Sequence, residues 1–260
     1  MSQDSFEDWR QRRHAELAGP DSWFGLVGLF WLEDEVSRVG SAADCVVRLP
    51  AGPAHLGDLL MRDGSVVWRP VNGAGRHLAT DRDGKPDVVN HELLSFFIVE
   101  RDGKLAARVR DRGWAQQRLF HGLEHFSEDP AWIVEADWLP LDPPLILEVP
   151  NVSGDLKPVT VGFHARFEIA GQTLQLLPMS VGDSEVFFVF RDRTSARETY
   201  GGGRFLKVKP AADGRIRLDF NRAFNPPCAF TPFATCPLPP PENWLPLAVT
   251  AGEKRWNGAH

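Results

Sequence analysis

From Val36 onward the chain is written in short apolar or alternating runs separated by turn pairs, and this rhythm limits the fold more than any other feature. Asp63-Gly64, Asp102-Gly103 and Asp213-Gly214 each stand between two such runs. Aspartate and glycine tolerate positive φ, so each pair suits a type I′ or bulged β-hairpin. Phe163, Ala165, Phe167 and Ile169 alternate with His164, Arg166 and Glu168, which sends the two sets to opposite faces of a strand. Ala170-Gly171 then turns the chain into a second strand near Thr173 to Leu177, and Val186 to Phe190 is another. The expected fold class is mainly β, an antiparallel β-sandwich or barrel.

One helix is expected, from about Ser5 to Leu17. Ser5 with Asp8 resembles a capping box, Phe6, Trp9, Arg13 and Leu17 share a stripe, and Gly19-Pro20 ends it. The apolar run Trp23 to Leu32 is too short to span a bilayer and reads as a buried turn and strand. Between Asp111 and Asp142 the prolines Pro130, Pro140, Pro143 and Pro144 break the strand rhythm. The chain therefore divides into an N-terminal helix over 1–20, a smaller β-unit over 21–112 and a C-terminal β-unit over 113–260, with one continuous sheet system as the alternative.

Composition excludes several function classes. A net charge of -6 with scattered basic residues argues against nucleic-acid binding, which needs concentrated lysine and arginine. No run approaches the roughly 18 apolar residues of a membrane span, and the opening MSQDSFEDWRQRRHAELAGP lacks the apolar core of a signal peptide. No membrane partner is expected, and the location is expected to be cytoplasmic. Three cysteines, an odd number, fit reduced thiols better than a disulfide framework. There is no Walker lysine, no G-x-S-x-G elbow and no strand-borne G-x-G-x-x-G, so no cofactor is expected.

His121 and His125, in HGLEH, have the i, i+4 spacing of a helical metal chelate. Gly122 weakens that helix and no third ligand is indicated, so no metal is expected. Val39 to Pro50, followed by His55-Leu56, resembles the opening of a forkhead-associated domain, a β-sandwich that binds phosphothreonine. Ser41 and Gly52 stand where that family places its phosphate-binding arginine and its serine, so the resemblance implies a shared hairpin layout rather than phosphopeptide binding.

The most site-like composition lies between Arg191 and Lys254. In Tyr200-Gly201-Gly202-Gly203-Arg204, glycines let backbone amides approach a ligand and the guanidinium offers a planar clamp for a carboxylate or phosphate. The competing reading is a glycine-rich bulge whose arginine pairs with Asp192 or Asp219. Leu218-Asp219-Phe220-Asn221 reads as a strand with Asp219 and Asn221 on one face. Prolines make the stretch from Asn225 to Asn243 a stiff, extended wrap that carries Cys228 and Cys236, with Glu242, Asn243 and Glu253 as further polar groups. Asp219 and Glu242 are the candidate bases and Cys228 and Cys236 the candidate nucleophiles. Tyr200, Gly201, Gly202, Gly203, Arg204, Asn221, Asn243 and Glu253 are the candidate ligand-binding residues.

TYGGGRFL, LDFNRAFNPPCAFTPFATCPLPPPEN and AGEK, with WFGLVGLFWLE near the start, together resemble the bacterial and archaeal family catalogued as domain of unknown function 1684. Its signature implies a shared importance for Tyr200, Gly201, Gly203, Arg204, Asp219, Asn221, Asn225, Pro226, Cys228, Cys236, Pro237, Glu242, Asn243 and Glu253. The chain departs from it at Phe224 and Trp244, where tyrosine and arginine are expected. Three readings stand together: a pocket for a small anionic ligand, serving a cofactor-independent hydrolase or transferase; a non-catalytic interaction module; and a signature that is purely architectural.

Overall fold

The computed structural model describes residues 5–82, 84–101, 103–118, 120–151, 154 and 156–258. The chain is mainly β and divides into two compact units, one formed by Glu16–Phe120 and the other by Met1–Ala15 with His121–His260. Helix α1 spans Phe6–Ala18. It begins where a capping box forms: the Asp8 amide donates to Ser5 Oγ at 3.1 Å, and the Ser5 amide and hydroxyl donate to Asp8 Oδ2 at 3.2 and 2.7 Å.

The unit Glu16–Phe120 holds β1 (Leu26–Trp31), β2 (Val36–Gly40), β3 (Val47–Arg48), β4 (Gly57–Arg62), β5 (Ser65–Pro70), β6 (Arg76–Leu78), β7 (Val88–His91), β8 (Leu94–Arg101) and β9 (Lys104–Asp111). They form two sheets, ordered β1-β9-β8-β7 and β3-β2-β4-β5-β6, antiparallel except for the parallel pair β2–β3. Their inner faces share one core, in which Val39, Leu59 and Trp68 meet Phe96, Ile98 and Val109. Trp68 and Phe96 lie edge to face at 5.1 Å. At the β4–β5 turn Asp63 and Gly64 both take positive φ, 49° and 74°. The β8–β9 turn follows the same logic at Gly103, while Asp102 lies outside the described residues. A second helix that the sequence reading missed, α2 (Arg112–Gln117), starts where the Asp111 carboxylate accepts the Trp114 amide at 3.0 Å.

The other unit contains β10 (Ile133–Pro150), β11 (Leu156–Ile169), β12 (Gln172–Leu176), β13 (Ser180–Val181), β14 (Val186–Phe190), β15 (Arg204–Val208) and β16 (Arg215–Asp219). One sheet runs β12-β11-β10-β16 and the other β13-β14-β15. None of the four sheets closes into a barrel, so the barrel alternative is not realised. Strand β10 continues through Pro140, Pro143 and Pro144, where a break was expected; the register with β11 slips between Pro140 and Leu145 and resumes. A slip of this kind lets prolines, which have no amide to donate, sit within a paired strand. The core of this unit joins Ala165, Phe167, Phe188, Phe190, Leu206 and Phe220 to Leu245, Val249 and Ala251 from the C-terminal segment. No helix among the described residues is long and apolar enough to cross a membrane.

Candidate functional site

The hairpin β14–β15 places Phe190 opposite Arg204, so the loop 191–203 that carries the triple glycine returns the chain directly onto its own strand. Of the three glycines, Gly203 is the one with positive φ. Its φ is +90°, and a Cβ there would lie 2.6 Å from the Phe190 carbonyl oxygen and 3.0 Å from Pro239 Cγ. The loop is pressed against strand and wrap by that missing side chain.

Arg204 lies inside the unit with none of its surface exposed. Its Nη2 donates to Asp192 Oδ2 at 2.8 Å and to the Val249 carbonyl at 2.9 Å; Nη1 donates to the Ala251 carbonyl. The guanidinium stands 5.2 Å from the centre of the Phe190 ring. Burial pushes its pKa down, opposed by the adjacent Asp192 and, at longer range, by Glu253. Among the described residues its Nε has no hydrogen-bond partner. Asp192, one of the two partners weighed for Arg204, belongs to an Asx turn: Oδ1 accepts the Thr194 amide at 2.7 Å and its hydroxyl at 2.6 Å, and the Val249 amide at 3.3 Å.

Asp219 ends β16 rather than continuing it. Its carboxylate accepts the Asn221 amide at 3.2 Å and opens a 3-10 turn, Phe220–Arg222. The alternation expected through Asn221 therefore stops at Asp219, because an Asx cap competes with the strand ladder for the backbone. Leu218, Asp219, Phe220 and Asn221 are all buried. Arg222 Nε donates to Asp219 Oδ2 at 3.1 Å, and the Asn221 side chain pairs with the Asp129 backbone through two 3.0 Å bonds.

Glu253, fully buried, accepts from Arg13 Nε at 2.9 Å and from the Asn225 amide at 2.7 Å. Arg13 Nη2 adds a 3.0 Å bond to the Asn225 carbonyl, and its guanidinium stacks 5.0 Å from the Phe224 ring centre. Asn225 Nδ2 donates to the Lys254 carbonyl at 2.8 Å. His125, read from HGLEH, is not on a helix; it pairs with Glu253 in an isolated antiparallel bridge, and Phe6 and Trp9 meet its ring edge-on. Among the described residues no group of three or more histidines, cysteines or acids is arranged for a metal ion.

Asn243 has the geometry of a backbone segment. Its Oδ1 accepts the Leu177 amide at 2.8 Å, while Nδ2 donates to the Leu177 and Val189 carbonyls at 2.8 and 2.9 Å. Its neighbour Glu242 is exposed on the turn Pro241–Asn243, and Trp244 is exposed beside the Arg191 guanidinium at 5.3 Å.

Tyr200 anchors a fifth grouping. Its hydroxyl donates to the Cys228 carbonyl at 3.1 Å, and burial, with Cys228 and Cys236 close by, pushes the phenol up to about 12. The Cys228 amide donates to Cys236 Sγ at 3.2 Å, and Cys228 Sγ meets the Ala234 carbonyl at 3.4 Å. Gly201 and Gly202 are half-buried beside this corner of the loop.

The structure thus sorts the sequence-derived candidates into groups: Arg204 with Asp192, Glu253 with Arg13 and Asn225, Asp219 with Asn221, Asn243 with the backbone of β14 and Leu177, and Tyr200 with the two cysteines. Arg13 was visible only as a charge on an apolar helix stripe. Thr194 left no sequence signal beyond its place two residues after an aspartate.

A model of the family described as protein of unknown function (DUF1684) matches residues 118–254. The solution NMR structure of an uncharacterized protein of Haloarcula marismortui is 35% identical, over 52% of this chain and 77% of that one, at a TM-score of 0.43. No curated protein matches the chain.

Proposed function

We propose that this chain, which belongs to the DUF1684 family of proteins of unknown function, uses its signature stretch as an internal clasp that holds the proline-rich wrap and the C-terminal segment after it onto a non-catalytic β-module. One observation carries this reading: the Arg204 guanidinium, wholly buried, spends both terminal nitrogens on Asp192 and on carbonyls of Val249 and Ala251. An arginine that clamps a diffusing anion needs those same nitrogens turned toward solvent or a cavity. Glu253 and Asn243 support the reading in the same way, since each is fully buried and bonded to backbone of its own unit. Proline leaves the wrap poor in ladder bonds, and side chains that imitate peptide groups make up the deficit.

A pocket for a small anion, feeding hydrolysis or group transfer, is the second reading. The half-buried Gly201-Gly202 backbone and the Arg204 Nε favour it. A thermal-shift series with phosphate, sulfate, citrate and a panel of sugar phosphates on wild type and Arg204→Lys separates the two. The clasp reading expects no anion-dependent rise in wild type and a melting point already lowered in the variant. A rise of several degrees in wild type that Arg204→Lys abolishes would overturn it, since ligand at about a hundred times its Kd adds ~2.7 kcal/mol.

A further inference from the structure

We infer that Cys228 and Cys236 form a peroxide-responsive dithiol, with Cys228 the thiol that meets the oxidant and Cys236 the thiol that resolves it into an intramolecular disulfide. The inference stands apart from the clasp reading and rests on the corner beneath Tyr200. Two contacts place the side chains together from opposite ends. The Cys228 amide lies 3.2 Å from Cys236 Sγ, and Cys228 Sγ lies 3.4 Å from the carbonyl of Ala234, two residues before Cys236. Within one residue the amide nitrogen and Sγ are three bonds apart, so rotation about χ1 of Cys228 moves its sulfur around an amide that already touches Cys236 Sγ.

Their exposures differ in the sense the chemistry needs. Cys228 is half-buried at the edge of the cluster in which Cys236, 5% exposed, is packed with Val189, Phe205 and Ala234. The amide directed at Cys236 Sγ supports negative charge developing on that sulfur. The Tyr200 hydroxyl holds the Cys228 carbonyl at 3.1 Å and so fixes the backbone from which the first thiol projects. Cys45, in the unit Glu16–Phe120, hydrogen-bonds the Ala54 carbonyl at 3.4 Å, and burial pushes its thiol pKa up.

The oxidant is hydrogen peroxide. The Cys228 thiolate attacks one peroxide oxygen, the O–O bond breaks, and hydroxide leaves to give a sulfenic acid and, with a proton, one water. The Cys236 thiolate then attacks the Cys228 sulfur, the S–O bond breaks, and hydroxide leaves as a second water. Both thiols are oxidised by one equivalent of peroxide, and the protein loses two hydrogen atoms.

Arg222 and Lys254 bound a tryptic peptide that contains both cysteines and excludes Cys45, so mass spectrometry reads the pair directly. Reduced full-length protein is treated with hydrogen peroxide, alkylated under denaturing conditions and digested. In wild type the peptide is expected two hydrogens lighter and without alkyl groups, while the Cys45 peptide stays alkylated. Cys236→Ser is expected to accumulate a sulfenic acid on Cys228 that dimedone traps, and Cys228→Ser to leave Cys236 reacting at least about tenfold more slowly than Cys228 does. Circular dichroism confirms that each variant is folded; a variant that unfolds is replaced by the alanine substitution. The inference is overturned if the wild-type peptide keeps both thiols, if Cys228 passes to sulfinic acid with no disulfide, or if Cys236 reacts as fast as Cys228.

Discussion

Arg204 Nη2 meets Asp192 Oδ2 at 2.8 Å with the two side chains 0% and 1% exposed, and Asp192 Oδ1 accepts amides from both Thr194 and Val249. One ion pair thereby joins the first residue of β15, the loop after β14 and the C-terminal segment. A buried pair of this kind adds little over a well-packed apolar pair, yet removing one partner strands the other charge without water. Its value to the unit lies in fixing where three pieces of chain cross.

Asn243 should behave as a structural residue of the same kind. Asn243→Ala removes three buried hydrogen bonds, to the Leu177 amide and to the Leu177 and Val189 carbonyls, and is expected to lower stability by roughly 2–4 kcal/mol in urea unfolding. Asn243→Asp should do no better, because a carboxylate oxygen would then face two carbonyl oxygens. Unfolding midpoints within about 0.5 kcal/mol of wild type would refute this.

Tyr200 is the single tyrosine of the chain, so its ionisation can be followed by ultraviolet absorbance without interference from another phenol. Burial and the neighbouring cysteines push it up to about 12, against the usual 10.0. The folded state therefore holds the proton more tightly than the unfolded one. The stability from this group is fully present below pH 10 and is lost as pH rises toward 12. A spectrophotometric titration should show the phenol ionising late in folded protein and near its usual value in guanidinium; coincident curves would contradict the burial.

His125 gives a signal of opposite direction on the acidic side. Burial pushes its pKa below the usual 6.5; Glu253 and the hydrogen bond to Leu123 oppose that, and Arg10 and Arg13 add to it. The unfolded chain binds the proton more readily, so the contribution is present above pH 6.5 and is lost as pH falls through the lower folded value. His164, lowered by burial and by Arg166, acts in the same sense. Melting temperature should begin to decline as pH falls below 6.5, before the carboxylates with ordinary value 3.8, such as Asp21 and Asp58, are protonated. His125→Gln should flatten that decline, and an unchanged slope would remove His125 as its source.

Much of the architecture could be read from residues. Asp-Gly pairs marked hairpins because positive φ is a local requirement, and Ser5 with Asp8 marked a helix start because a capping box is also local. Alternation in Phe163–Ile169 set the buried face of β11, with Ala165 and Phe167 inside and Phe163, at 39% exposure, stacked on Trp138. The short helix α2 and the passage of β10 through three prolines were not legible, since the first depends on one aspartate cap and the second on a register slip shared with another strand. At the candidate site, composition singled out a stretch but not the destination of its side chains. Whether Arg204 faces a ligand or Asp192 is decided by packing between segments tens of residues apart in sequence, to which no local pattern speaks.

The most direct test of the clasp is a double-mutant cycle on Arg204→Ala and Asp192→Ala, with stability read from reversible chemical unfolding. Each single change is expected to destabilise by roughly 3–5 kcal/mol, and the double change by clearly less than the sum, because the second substitution removes the charge that the first left stranded. Single variants as stable as wild type, or strictly additive losses, would contradict the account and return Arg204 to the role of a ligand-facing cation.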